Sequence, residues 1–343
     1  TTDRPLVTFA LFAYNQEQYI REAVEGAFAQ TYEPLEIILS DDCSTDRTFE
    51  IMQEMAAAYQ GPHEVRVRRN SPNLGTALHV GTVAAEMQGS LLVAAAGDDI
   101  SCAERTETLV SAWRNAGFPT GTVHSSLSNI EAIDRSKEAV KLRHDMNDTI
   151  DIQWFLRNRR LPFLPPTCAY TKELFTQFPP ILGGSVIEDS VLACRSMLIG
   201  QSIPVNTPLV LKRRLPVSAG QGYTIDDPSR WNIMIRSKII ARLNRLQDTT
   251  ASAQLEPATS RRYQSLLIRE IRGLSSCIID NQRTRNPINK LLMFFRIINS
   301  TPRTQNLPQR ILHALRSIGW DRKPLPKLLI STARKLRRAH QPN

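Results

Sequence analysis

Three short apolar runs and one alternating run, separated by segments of helical period, fill the first hundred residues, and this alternation restricts the fold more than any other feature. The apolar runs are Leu6–Phe12, Leu35–Leu39 and Leu91–Ala95, and Val65–Arg68 alternates apolar with basic. Between them Tyr19, Ile20, Ala23, Val24, Ala27 and Phe28 recur at helical spacing, as do Phe49, Met52, Met55, Ala56 and Tyr59. Thr76 to Met87 reads as a third helix. Strands alternating with helices at this spacing predict an α/β fold with a mostly parallel, doubly wound sheet. At 343 residues the chain has room for one such domain and an appended unit.

Two of these runs end on acids: Ser40-Asp41-Asp42-Cys43-Ser44-Thr45-Asp46 and Ala96-Gly97-Asp98-Asp99. Ligands of open α/β sheets bind outside the carboxyl ends of the strands, so both clusters are expected at one crevice. Like charges gathered there repel unless a cation or a ligand's donors meet them. A divalent ion holding a diphosphate answers that need. The first cluster also reads as a plain helix start, with Ser44 or Thr45 opening the helix, and Asn15 could cap the helix before it. The Asp98-Asp99 pair exceeds what capping requires. A third acidic pair, Glu188-Asp189, follows Gly183-Gly184 and opens a helical pattern to Ile199.

In the middle of the chain Thr120–Ser126 is read as a strand, Asp151–Asn158 as a helix, Leu161–Pro166 as a loop and Thr171–Phe178 as a short helix. Pro204, Pro208 and Pro216 punctuate the stretch that leads to a boundary near Tyr223. Beyond it come basic amphipathic segments at Trp231–Leu246, Arg261–Ile279, Asn289–Ile298, Pro308–Ile318 and Leu325–Arg338. The expected division is therefore a catalytic domain over 1–223 and a basic helical region over 224–343.

Thr8–Asn15, Asp41–Thr48, Asn73–Gly75, Gly97–Asp99 and Glu188–Asp189, in this order and at these spacings, resemble family 2 glycosyltransferases of the GT-A fold over roughly residues 5–220. The resemblance implies transfer of a sugar from a nucleotide-diphosphate donor, usually with inversion and usually with Mg²⁺ or Mn²⁺. Carried over residue by residue, it places Ala13, Tyr14 and Asn15 near the nucleotide base, with Asn73, Gly75 and Gly97 also on the nucleotide. Asp42 would accept from a base ring N–H, as uracil or thymine offers. Asp98 would reach the ribose or the metal, and Asp98 and Asp99 together are the metal candidates. Asp189 would be the general base that takes the acceptor hydroxyl's proton. Glu188 would contact the acceptor or orient its loop, and Arg195, two helical turns on, would pair with Glu188 or Asp189. Two positions depart from the family pattern. Ala96 stands where the first acid of the second motif is usual, and the helix after Gly75 offers only His79 as a basic residue. Phosphate contacts are then expected from Arg213, Arg214 or the loop after Pro216.

Charge is divided unevenly. Residues 1–210 hold 17 Lys and Arg against 26 Asp and Glu, and residues 211–343 hold 26 against 7, mostly Arg. An acidic catalytic half and a basic half that meets an anionic partner follow. Interfacial binding to anionic lipid is preferred, at about 1 kcal/mol per basic residue near the surface, with Trp231, Phe294, Phe295 and Trp320 available to the headgroups. No zinc-finger, RRM or KH pattern supports nucleic acid as the partner. The five cysteines are scattered without a CxxC pair, which excludes a disulfide framework or zinc site and suits a reducing cytosol. No signal peptide or bilayer-spanning run is read. The expectation is a peripheral enzyme on the cytoplasmic membrane face, using a nucleotide-sugar donor (UDP favoured) and a lipid-linked saccharide acceptor in surface polysaccharide synthesis. The basic helices equally suit a subunit interface. An inactive GT-A scaffold and a metal-dependent nucleotidyltransferase are the alternatives, and Ala10–Gln18 lacks the phosphate loop of the latter.

Overall fold

The chain is described from a computed structural model that covers residues 4–130, 150–158, 163, 165–182, 188–213, 228–252 and 256–281. Its strands are β1 (Val7–Ala13), β2 (Leu35–Asp41), β3 (Glu64–Arg69), β4 (Leu91–Ala96), β5 (Ile100–Ser101), β6 (Gly121–Asn129), β7 (Cys168–Thr171) and β8 (Gln201–Lys212). Helices α1 (Ile20–Phe28), α2 (Thr48–Ala58), α3 (Thr76–Glu86) and α4 (Arg105–Asn115) alternate with the first six strands. Then come α5 (Ile152–Asn158), α6 (Glu173–Thr176), α7 (Glu188–Ile199), α8 (Pro228–Ala251) and α9 (Pro257–Asn281).

The eight strands form one sheet in the order β3-β2-β1-β4-β7-β6-β8-β5. The first four are mutually parallel, in register from Val7 opposite both Leu35 and Leu91. Every residue of β2 is buried, which is why that run shows no alternation. β3 is the edge, and Arg66 and Arg68 alternate with Val65 and Val67 there, a charged edge that resists further pairing. β7 runs antiparallel between β4 and β6. The expected α/β architecture with a mostly parallel sheet is present, and the antiparallel strands β5 and β7 are additions to it.

Two apolar layers sandwich the sheet. One face packs Phe9, Leu11, Ile37, Leu39 and Val93 against Ile20, Val24, Met52 and Leu109 of α1, α2 and α4. The other packs Ala10, Ile38, Leu92 and Tyr170 against Val80 and Val83 of α3, Leu192 and Met197 of α7, and Ala241, Tyr263 and Leu267 of α8 and α9. Each fully buried large side chain contributes about 1.5–3 kcal/mol.

Three strands were not expected, the two-residue β5 and the longer β7 and β8. β7 has only four residues, and its Thr171 was assigned to a helix that begins instead at Glu173. β8 contains Pro204 and Pro208, which normally argue against a strand. They are tolerated because β5 pairs only with Val210 and Leu211, so the preceding stretch of β8 has a partner on one side alone. The register against β6 shifts around Pro208, between Ser125 and Leu127.

The chain divides into two compact units, 1–219 with 236–271, and 220–235 with 272–343. In the second, the described backbone, 228–235 and 272–281, is helical. The expected boundary at Tyr223 and the segments from Asn289 onward lie outside the described residues, as do the side chains of Trp231, Phe294, Phe295 and Trp320. No helix among the described residues is long and apolar enough to cross a membrane.

Candidate active site

Parallel strands β1, β2 and β4 all end on one side of the sheet, and a cleft of ≈ 580 Å³ opens there. Ala13, Tyr14, Asn15, Asp42, Asn73, Gly75, Asp98 and Glu188 line it, so eight residues singled out from sequence meet in one place. Tyr14 is half exposed at the rim, at 49%.

The first acidic cluster builds the wall. Asp42 is buried, and its Oδ1 accepts from Asn70 Nδ2 (2.7 Å) and Leu74 N–H (2.9 Å), while Oδ2 accepts from Gly75 N–H (2.8 Å). Asn73 Nδ2 donates to the Asp42 carbonyl at 2.7 Å. One carboxylate therefore holds the Asn73-Leu74-Gly75 turn against β2. Gly75 has φ 75°, a left-handed conformation that glycine adopts without the Cβ penalty. Asp41 turns the other way, accepting from Ser44 N–H (2.9 Å) and the Ser44 hydroxyl and pairing with Arg69 Nε at 3.2 Å.

Two capping expectations are corrected. Asn15 does not cap α1, which starts at Ile20. Its Oδ1 accepts from Thr45 N–H (2.8 Å) and its own N–H donates to Ser44 Oγ (2.9 Å), joining the loops after β1 and β2. Helix α2 starts not at Ser44 or Thr45 but at Thr48, whose N–H donates to Asp46 Oδ1 at 3.0 Å.

The second cluster is built differently. Among the described residues nothing is hydrogen-bonded to the Asp98 carboxylate, which faces the cleft. Asp99 points away, accepting from Arg213 N–H at 3.0 Å, with Lys212 Nζ at 3.9 Å. Burial pushes the Asp99 carboxyl up to about 6, against the pull of Lys212. Strand β8 carries Lys212 and Arg213 to this turn. The Arg213 guanidinium donates to the Asp98 carbonyl (3.3 Å), pairs with Glu22 (3.0 Å) and lies 4.8 Å from the centre of the Tyr19 ring at the cleft. Arg214 and the loop after Pro216 lie outside the described residues. Gly97 packs rather than lines: a Cβ there would stand 2.5 Å from Gln16 Oε1 and 3.0 Å from Ala13 Cβ.

His79 lines the cleft but is no cation. Burial, with Arg68 nearby, brings it down to about 4 despite Asp42, and its Nε2 meets Ser40 Oγ at 2.5 Å.

On the opposite wall α7 begins with Glu188 and Asp189. Burial, with Asp189 alongside, pushes the Glu188 carboxyl up to about 8, so it is protonated at neutral pH. Asp189 accepts from Ser190 N–H at 2.7 Å and does not line the cleft itself. Arg195 is a correction. It pairs with neither acid but lies buried against Asp248 of α8, at 2.9 Å, and does not line the cleft. Its partner lies 53 residues away, beyond the reach of local spacing.

Gln16, Pro166, Tyr170 and Leu192 also line the cleft and carried no motif. Gln16 Oε1 is buried without a hydrogen-bond partner. Only the missed strand β7 brings Tyr170 there.

Among the described residues no three His, Cys, Asp or Glu gather as a metal cage. One open carboxylate at Asp98 nevertheless fits a hard divalent cation, which keeps several waters and substrate phosphate oxygens as its other ligands.

The sequence model for Glycosyl transferase family 2 matches residues 8–176. An uncharacterized protein of Mycobacterium tuberculosis is 42% identical over 88 residues, 25% of each chain. An uncharacterized glycosyltransferase of Haemophilus influenzae is 41% identical over 71 residues, 21% of each chain. The matched stretch thus spans about a quarter or less of these relatives' length. In structure the chain is similar to Staphylococcus aureus TarS 1–349 in complex with UDP-GlcNAc, with a TM-score of 0.58 and 14% identity. That likeness covers 90% of this chain and 89% of the other, and it is a likeness of fold, the GT-A fold. Through residues 8–176 the chain belongs to glycosyl transferase family 2.

Proposed function

We propose that the chain is an inverting, divalent-metal-dependent glycosyltransferase that takes a sugar from a nucleotide-diphosphate donor, UDP first, to a hydroxyl of a lipid-linked saccharide. The observation that carries this reading is the meeting of Asp42, Asp98 and Glu188 in one cleft at the carboxyl ends of parallel strands. Asp42 and Asp98 there suit a ligand with donors and a cation. The family match and the UDP-GlcNAc complex of TarS make UDP the first nucleotide to test.

In this reading the base and ribose lie along Ala13–Asn15, Asp42 and the Asn73–Gly75 turn. Asp42 has already positioned that turn through three accepted hydrogen bonds and keeps lone pairs for a base N–H. Asp98, with Asp99 behind it, would hold Mg²⁺ or Mn²⁺, which supplies charge neutralisation to the departing diphosphate. Arg213, anchored beside the Asp98 carbonyl, adds a fixed positive charge at the same end. The acceptor hydroxyl attacks the anomeric carbon from the face opposite the leaving group, and its proton passes to Asp189 as the new C–O bond forms and the bond to the diphosphate breaks. Glu188, protonated at neutral pH, donates a hydrogen bond to the acceptor. The basic region from 224 onward would hold the enzyme to an anionic membrane surface at the cytoplasmic face, with 1–223 as the transferase domain.

Calorimetric titration with UDP, dTDP, GDP and CMP, with and without Mn²⁺, tests the reading. Metal-dependent binding of one nucleotide supports it. A folded protein that binds none of them leaves the inactive scaffold, the reading that Ala96 favours.

A further inference from the structure

Helix α7 presents Glu188 and Asp189 from its first turn, and from Ser190 to Leu198 every residue is buried. The hydrophobic attraction that buries it is non-directional, so its exact setting depends on packing shape and on the directional bonds it makes. A directional restraint sits two turns along. Arg195 Nε donates to Asp248 Oδ2 at 2.9 Å and Nη2 to Asp248 Oδ1 at 3.2 Å, a two-pronged pair with both side chains 1% exposed. The remaining guanidinium donors reach the Leu174 carbonyl (3.0 Å) and the Pro179 carbonyl (2.6 Å), and the cation lies 5.0 Å from the centre of the Phe178 ring. Residue Cys194 adds a contact to Tyr263 Oη of α9 at 3.5 Å.

One guanidinium therefore fixes three segments at once: α7, the chain just after α6, and α8. A buried ion pair stabilises little beyond a well-packed apolar pair, because desolvation offsets the attraction, but it fixes register. Arg195 is six residues from Asp189, a rise of about 9 Å along the helix. A helix held at one point that close cannot turn or slide at its first turn without breaking the pair.

We infer that Asp248, acting through Arg195, is a positioning residue for Glu188 and Asp189. Like Glu188 and Asp189 themselves, α8 lies beyond residue 176, where the family match ends. The inference rests on the proposed role of that pair, and hydrogen exchange tests it separately.

The test compares wild type, Asp248→Asn, Asp248→Glu and Arg195→Lys. Exchange of the amides of residues 188–192 is expected to speed up about tenfold or more in Asp248→Asn, with β1 and β4 unchanged. Unchanged exchange there in a folded variant overturns the inference, whatever the enzyme does. On UDP-GlcNAc with Mn²⁺ and water as acceptor, kcat is expected to fall about 10- to 100-fold while the UDP Kd stays within about twofold. Asp248→Glu should recover most of that loss. A parallel loss of UDP binding and kcat makes the pair a general scaffold element and also overturns the inference. Should Asp248→Asn fail to fold, Arg195→Lys keeps the buried charge but loses the fork, and full kcat in it is the overturning result. If wild type binds no nucleotide, the proposed function fails and the exchange data alone decide.

Discussion

The two acidic clusters look alike in sequence, each a pair of aspartates after a buried strand, yet the fold uses them in opposite ways. In the first, Asp41, Asp42 and Asp46 accept backbone and side-chain donors, and of the three Asp42 lines the cleft. In the second, Asp99 is held by the Arg213 backbone, and no described residue is bonded to the Asp98 carboxylate. A carboxylate that accepts several protein donors stabilises the fold. One that faces a cleft without donors is available to a ligand.

The contrast is sharpest at Asp98. Replacing it by Ala should lower turnover on the order of 100-fold or more, since an electrostatic stabiliser of the leaving group is lost. The melting temperature should stay at the wild-type value, and a clear drop would break the comparison by giving Asp98 a structural duty. The reverse is expected of Asp42→Ala. It leaves Leu74 N–H, Gly75 N–H and Asn70 Nδ2 without their acceptor, a loss of roughly 3 kcal/mol or more, read by urea unfolding. Full stability in that variant would mean the turn holds itself.

Glu188 tests the opposite wall through pH. Its folded value, about 8, lies above the ordinary 4.5, so the folded state binds the extra proton. The stability this contributes is fully present below about pH 4.5 and is lost as pH rises through about 8. Glu188→Gln removes that dependence, so the wild type should lose melting temperature relative to the variant between pH 5 and 9. Parallel curves would show that the carboxyl is ionised at neutral pH. The smallest effect is expected at Asp46→Ala, which loses the bond to Thr48 N–H at the start of α2, about 1 kcal/mol.

Much of this was legible in the sequence because it is local. β1, β2 and β4 are continuous apolar runs, and their carboxyl ends fall where the motifs are. What sequence reading missed depends on partners far along the chain. Pro204 and Pro208 hid β8, since a strand can hold proline only where its neighbour on one side is absent, and that neighbour is a two-residue strand a hundred residues earlier. With β8 hidden, the delivery of Arg213 to Asp98 and Asp99 could not be seen. Arg195 was given to its nearest acids because helical spacing knows only its own helix, and Asp248 is 53 residues on.

The pairing of β6 with β8 has one more consequence. The family match stops at residue 176, before β8 begins at Gln201. A fragment trimmed to that match would strip β6 of its parallel neighbour along its whole length, from Gly121 to Asn129, and leave it as a nine-residue unpaired edge of the sheet. Such a fragment would meet copies of itself through that ladder and precipitate. The unit recognisable by ancestry is therefore smaller than the unit that completes the sheet.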